Sequence, residues 1–170
     1  MSSLAHAESL IRTIPDYPEP GIQFRDITPL LADAAALRAV IDAMIEPFDG
    51  QFDVVAGVEA RGFLLAGALA VAADVGLVPI RKAGKLPRPA ASVSYALEYG
   101  EATVEMHDDL APGTRMLLVD DVLATGGTIA ASHELAARLG VEVIGTTVLM
   151  ELEALGGRAL VGDVHALFVV

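Results

Sequence analysis

The segment Leu117-Leu118-Val119-Asp120-Asp121-Val122-Leu123-Ala124-Thr125-Gly126-Gly127-Thr128 constrains the fold more than any other part of the chain. A buried-type apolar run leads into two acids, then into a glycine-rich turn. A helical pattern follows from Gly127 to Leu139, with Ala131, Leu135 and Leu139 on one face and Gly140 as its stop. In open α/β sheets such a strand-loop-helix unit places ligands at the carboxyl ends of the strands. Two adjacent acids after an apolar strand are costly unless solvent or a ligand faces them. Carboxylates there can accept hydrogen bonds from a ribose diol. The turn offers backbone N–H groups, the hydroxyls of Thr125 and Thr128, and a helix N-terminus, all of which suit a phosphate. The dipole contributes roughly 0.3–1 kcal/mol. Charge-assisted hydrogen bonds, at about 1.5–3 kcal/mol each, outweigh it. The dinucleotide G-x-G-x-x-G and Walker G-x-x-x-x-G-K-[ST] patterns are both absent.

The remaining segments alternate in kind. A short amphipathic helix is expected over Ser3–Thr13, then an extended, non-regular stretch from Ile14 to Gly21, where three prolines and a glycine fall in eight residues. Gln23 to Ile27 continues that stretch. Asp33 is placed to cap a helix from Ala34 to Ile45. Strands are expected at 52–58, 76–81, 115–119, 141–150 and 166–170, with helices at 61–73, 127–139 and 151–155. Two antiparallel strands, 92–98 and 102–107, follow a glycine-, proline- and lysine-rich loop at 83–89. The fold class is therefore α/β: a single domain, 1–170, with a central, mostly parallel sheet flanked by helices.

Composition limits the functional classes. The chain has 170 residues and no Cys, which excludes disulfides and Cys-ligated zinc. His6, His107, His133 and His165 fit no metal spacing. The longest apolar stretch, Phe63 to Ala73, is interrupted by Gly67 and too short for a membrane span. A net charge of −12 opposes binding to nucleic acid. Yet Arg81, Lys82, Lys85 and Arg88 put four of the eleven basic residues, including both lysines, in one short segment. Such a cluster on an acidic protein suggests an anionic ligand. Arg61 points the same way, since it opens a helix with no further charge before Asp74. An ion pair with Glu59 or another acid is the competing account of Arg61, and a solvated loop that of the cluster. Asp108-Asp109 reads as a solvated turn, and Glu151 and Glu153 as part of an exposed helix.

Val119 to Thr128 resembles the phosphoribosyl-pyrophosphate (PRPP) motif of the type I phosphoribosyltransferases. Three further segments resemble the adenine phosphoribosyltransferase family. They are Pro18-Glu19-Pro20-Gly21-Ile22-Gln23-Phe24-Arg25-Asp26-Ile27-Thr28-Pro29-Leu30, Gly57-Val58-Glu59-Ala60-Arg61-Gly62-Phe63, and Arg81-Lys82-Ala83-Gly84-Lys85-Leu86-Pro87 with Leu97-Glu98-Tyr99-Gly100. The resemblance runs in order from about residue 10 to 158.

That resemblance implies the fold and the roles. Residues 1–33 would form an N-terminal helix and base-binding hood, and 82–105 a flexible catalytic loop. Asp120, Asp121, Ala124, Thr125, Gly126, Gly127 and Thr128 would bind the ribose and 5′-phosphate. Glu59, Ala60, Arg61, Arg81, Lys82 and Lys85 would bind pyrophosphate. The Gln23 carbonyl and Arg25 amide would read adenine, with Phe24 stacked on it, although Phe24 also fits an ordinary core aromatic and Arg25–Asp26 a local ion pair. Glu98 would carry the proton, with Arg61 and Lys82 as further catalytic groups and Tyr99 as a lid, although Glu98 also fits a polar strand-end residue. Mg²⁺ would arrive with PRPP and take no direct protein ligand. A cytoplasmic homodimer is implied, with adenine and PRPP as substrates and neither nucleic acid nor membrane as partner. A transferase for another purine base shares most of these features. A non-catalytic PRPP or purine sensor shares the loop.

Overall fold

The computed structural model describes residues 3–97 and 100–170, and the chain divides into two compact units, 1–43 and 44–170. The first begins with α1 (Ser3–Ser9), an antiparallel hairpin of β1 (Arg12–Pro15) and β2 (Gln23–Asp26), α2 (Thr28–Ala32) and the start of α3 (Ala34–Ile45). The hairpin departs from the expected helix through Thr13 and the expected irregular stretch. Arg12 pairs with Asp26, Ile14 with Phe24 and Pro15 with Gln23. Both strands of a two-stranded ribbon are edges, where a proline is tolerated. Asp16 and Gly21 turn the chain at φ 57° and 90°, and the Gly21 N–H donates to Asp16 Oδ1 at 2.7 Å. Asp33 caps α3 as expected: its Oδ1 accepts the Ala36 N–H at 2.8 Å. That bond, with help from His6, holds its carboxyl below the usual range.

The second unit is built on a seven-stranded sheet. Its elements are β3 (Val54–Val58), α4 (Gly62–Ala72), β4 (Gly76–Lys82), β5 (Ala91–Leu97), β6 (Gly100–Met106), β7 (Arg115–Leu123), α5 (Gly127–Arg138), β8 (Glu142–Glu151), α6 (Arg158–Val161) and β9 (His165–Val169). The spatial order is β5-β6-β4-β3-β7-β8-β9. Strands β4, β3, β7, β8 and β9 are parallel, and the β5–β6 hairpin lies antiparallel against β4. Every residue of β3 is buried, which is why it reads as an unbroken apolar run.

The two faces are covered by different helices. Val54, Ala56, Val58, Met116 and Leu118 form a core with Ile129, Ala131 and Leu135 of α5. Gly57, pointing the other way, faces α4. A Cβ there would sit 2.7 Å from Ala66 Cβ and 3.3 Å from the Gly62 carbonyl and Phe63 Cα. Backbone cannot move aside cheaply, so Gly57→Ala is expected to cost about 1–3 kcal/mol and to lower Tm by several degrees in a thermal melt. An unchanged Tm would mean that α4 does not approach β3 this closely.

The chain winds from β3 through α4 to β4, then returns to lay β7 on the opposite side of β3. Adjacent strands β3 and β7 therefore lead into loops that diverge, and a crevice opens at their carboxyl ends.

Two expectations fail in this unit. Strand β7, expected to end at Val119, continues to Leu123 and pairs with β8 as far as Leu123↔Glu151. Asp120 and Asp121 are thus strand residues, and both are buried. Glu151, expected on an exposed helix, is buried at the end of β8, where Arg158 Nε donates to both carboxylate oxygens at 2.9 and 2.8 Å. A cationic partner seven residues away offsets the cost of burying that charge.

Candidate active site

At the crevice lies a cavity of about 460 Å³ lined by the ends of β3, β4 and β7, by β5, and by the start of α5. On one side the chain leaves β7 through Ala124 and Thr125 into Gly126, whose φ of 88° is left-handed, and α5 begins at Gly127. Glycine takes that conformation without strain. A Cβ on Gly126 would also lie 2.9 Å from the Gly157 carbonyl. The first turns of α5 are tied down by the Ala130 N–H donating to the Gly126 carbonyl at 2.9 Å and Ser132 Oγ to the Thr128 carbonyl at 2.7 Å.

Below this loop sit the two aspartates. The Asp121 N–H donates to Asp120 Oδ1 at 2.8 Å. Burial, then the charge of Asp121, pushes the Asp120 carboxyl well above the usual carboxylate range. Asp121 Oδ2 lies 2.6 Å from Arg61 Nη2. Arg61 therefore meets an acid across the crevice. Its side chain stays about a third exposed (34%), and a guanidinium has five N–H donors, so it can hold Asp121 and still face the cavity.

Opposite the phosphate-type loop is a second polar group. The Glu59 side chain is only 7% exposed. Its Oε2 accepts the Lys82 N–H at 3.0 Å and Arg81 Nε at 3.3 Å, and Lys85 Nζ donates to Oε1 at 2.5 Å. Burial opposes ionisation of this carboxyl. The hydrogen bonds from Lys85, Lys82 and Arg81 outweigh it and hold the group below the usual range. Arg81 Nη1 further donates to the Lys85 carbonyl at 3.0 Å. The segment after β4 is thus pinned, with its cations gathered around one carboxylate.

A family model described as "Phosphoribosyl transferase domain" matches residues 25–163. An adenine phosphoribosyltransferase of Renibacterium salmoninarum is 61% identical over 157 residues, covering 91% of this chain and 86% of that protein. The chain belongs to the adenine phosphoribosyltransferase family. Solved structures agree. The adenine phosphoribosyltransferase of Rhodothermus marinus superposes with a TM-score of 0.93 at 48% identity, covering 99% of this chain and 98% of that one. The enzyme of Giardia lamblia, solved with 9-deazaadenine, gives 0.93 at 41%, covering 100% and 99%.

Asp120, Asp121 and residues 124–128 come together in one cavity with Glu59, Ala60, Arg61 and Lys82. Arg81 and Lys85 join them through Glu59. Gln23, Phe24 and Arg25 lie on β2 in the first unit. There Phe24 meets the Tyr17 ring edge-on at a centroid distance of 5.2 Å, and Arg25 Nη1 donates to Thr13 Oγ1 at 2.6 Å. Glu98 and Tyr99 lie outside the described residues.

Sequence reasoning missed two parts of this site. Gly157 packs on the loop from behind: a Cβ there would collide with the Ala124 carbonyl and the Leu123 side chain. Tyr95 lines the cavity, and its hydroxyl is 2.9 Å from Thr128 Oγ1. Neither carries a local signal. Gly157 sits in a Gly-Gly pair that reads as a turn, and Tyr95 in an ordinary alternating strand.

Proposed function

We infer that the chain transfers the 5-phosphoribosyl group from PRPP to adenine, giving AMP and pyrophosphate. The observation that carries this is the switch-point cavity. It joins two buried aspartates and a glycine-rich helix N-terminus to Arg61, Lys82 and Glu59, and Glu59 in turn holds Arg81 and Lys85. A phosphate, a sugar diol and a second polyanion are the chemical groups that need those three surfaces at once. Relatives named as adenine phosphoribosyltransferases, and one such structure solved with 9-deazaadenine, support adenine as the base.

Each group has a task. Residues 124–128 hold the 5′-phosphate, and Asp120 and Asp121 accept the ribose hydroxyls. Arg61 and Lys82, with Arg81 and Lys85, neutralise the leaving pyrophosphate. The Gln23 carbonyl and Arg25 amide pair with the adenine edge, and Phe24 stacks on its face. Adenine N9 bonds to C1′ while the C1′–O bond breaks and its electron pair leaves on pyrophosphate. The proton released from the imidazole ring passes to Glu98. Tyr99 acts as a lid that excludes water, since hydrolysis competes. Positioning and neutralisation of the departing charge supply most of the rate.

Mg²⁺ would enter as a companion of the substrate. Among the described residues no three His, Cys, Asp or Glu side chains converge to hold a metal, and both aspartates already carry contacts to an amide or to Arg61. Arriving with PRPP, Mg²⁺ would neutralise part of the pyrophosphate charge.

We also propose a homodimer. Leu64 and Val71, seven residues apart on one side of α4, are 57% and 83% exposed, on a helix with no charged residue. Leu64→Glu with Val71→Glu is expected to yield monomers in sedimentation velocity. A surviving dimer would place the interface elsewhere. The activity belongs in the cytoplasm, because phosphorylated substrates do not cross bilayers. Among the described residues no helix is long and apolar enough to cross a membrane.

The deciding assay supplies adenine, PRPP and Mg²⁺ and looks for AMP and pyrophosphate, with guanine, hypoxanthine and xanthine as competitors. Absence of AMP, or preference for another base, overturns the reading.

A further inference from the structure

We propose that Tyr95 is a positioning residue for the 5′-phosphate, fixing the Thr128 hydroxyl as a donor into the cavity; this rests on the phosphate assignment above. The Tyr95 phenol oxygen lies 2.9 Å from Thr128 Oγ1, and both residues line the same cavity. A hydroxyl has one proton and two lone pairs. When Tyr95 donates, Thr128 accepts on one lone pair, and its single proton must point elsewhere. The remaining open direction is the cavity, where the phosphate oxygens are to sit. Without the phenol the Thr128 hydroxyl rotates freely and must be ordered at the moment of binding.

The phenol is itself held in place. Its ring lies against the first residue of α5: a Cβ on Gly127 would be 2.9 Å from Tyr95 Cδ2 and 3.5 Å from Cε2. Gly127 therefore does more than let a phosphate approach; it makes room for the ring that orients its neighbour. Farther along, Arg138 Nη1 at the end of α5 donates to the Ser92 carbonyl at 2.8 Å. Strand β5 is thus fastened to α5 at two levels, and the Tyr95 ring is held against the start of α5.

The test is Tyr95→Phe, which keeps the ring on Gly127 and removes only the hydroxyl. The dissociation constant for ribose 5-phosphate and the KM for PRPP are expected to rise about five- to tenfold, the worth of one ordinary hydrogen bond. The kcat and the KM for adenine should stay within about twofold. Coupling is read from a double-mutant cycle. In a Thr128→Val background Tyr95→Phe should add nothing, whereas Thr128→Ser, which retains the hydroxyl, should restore the effect. Unchanged affinity for ribose 5-phosphate, independent losses that multiply in the double variant, or a collapse of kcat at constant KM for PRPP each overturns the assignment. If the wild-type protein binds ribose 5-phosphate with this Tyr95 dependence yet makes no AMP, the activity is overturned and the role of Tyr95 stands.

Discussion

Asp120→Asn combined with Asp121→Asn is expected to lower kcat/KM for PRPP by roughly 10²–10⁴-fold, the loss of two charge-assisted hydrogen bonds to a diol. The shapes are nearly conserved, so circular dichroism should show a folded protein. Unchanged kinetics would sink the ribose assignment. The pair also predicts a pH dependence. Burial and the neighbouring Asp121 charge raise the Asp120 carboxyl above its ordinary value near 3.8. Diol hydroxyls donate best to ionised carboxylates, so binding should expel the Asp120 proton. The dissociation constant for ribose 5-phosphate is then expected to fall as pH rises toward the Asp120 pKa and to level off above it. Calorimetry in buffers of different ionisation enthalpy should record net proton release, abolished by Asp120→Asn. The stability effect has the opposite sense. Between the unfolded and folded pKa values the native state binds the extra proton, so the contribution is full below about pH 3.8 and is lost as pH rises through the folded pKa.

Glu98→Gln should cut kcat by about 10²–10⁴-fold, the usual worth of general acid–base help, while leaving the KM values for adenine and PRPP nearly unchanged. The nucleophile is a ring nitrogen whose attack is productive only if a proton leaves the same imidazole. A carboxylate can hold that proton and return it in the reverse direction, whereas an amide of the same shape cannot. The residue follows Leu97 in the sequence. The pH–rate profile gives a second readout, because the limb set by the carboxylate should vanish in the variant. If kcat survives, water or another group moves the proton.

The features legible in the sequence are those with local causes. Strand β3 shows as an apolar run because both of its faces are covered, and Asp33 shows as a cap because capping is a three-residue interaction. The turn into α5 is legible because glycine takes the left-handed conformation of Gly126 without strain. Features with distant causes are hidden. The strand order 5-6-4-3-7-8-9 has no local signature. Glu151 looks solvent-facing because its burial depends on Arg158, on a short helix that periodicity does not reveal. Strand β7 reads as stopping at Val119 because acids normally end an apolar strand. It continues because Arg61, from another loop, and a backbone amide meet them. Arg61 is marked for an anion by its place at the start of a charge-free helix, and the Asp121 carboxylate it contacts lies sixty residues further on.

Glu59 gives the cationic wall the character of an ion exchanger. A resident carboxylate already serves as counter-ion to Arg81 and Lys85, so any incoming anion must outcompete a fixed one. Under the proposed pyrophosphate role, a polyanion that draws on both cations together with Arg61 and Lys82 is expected to displace that carboxylate, where a monovalent anion such as chloride or acetate is not.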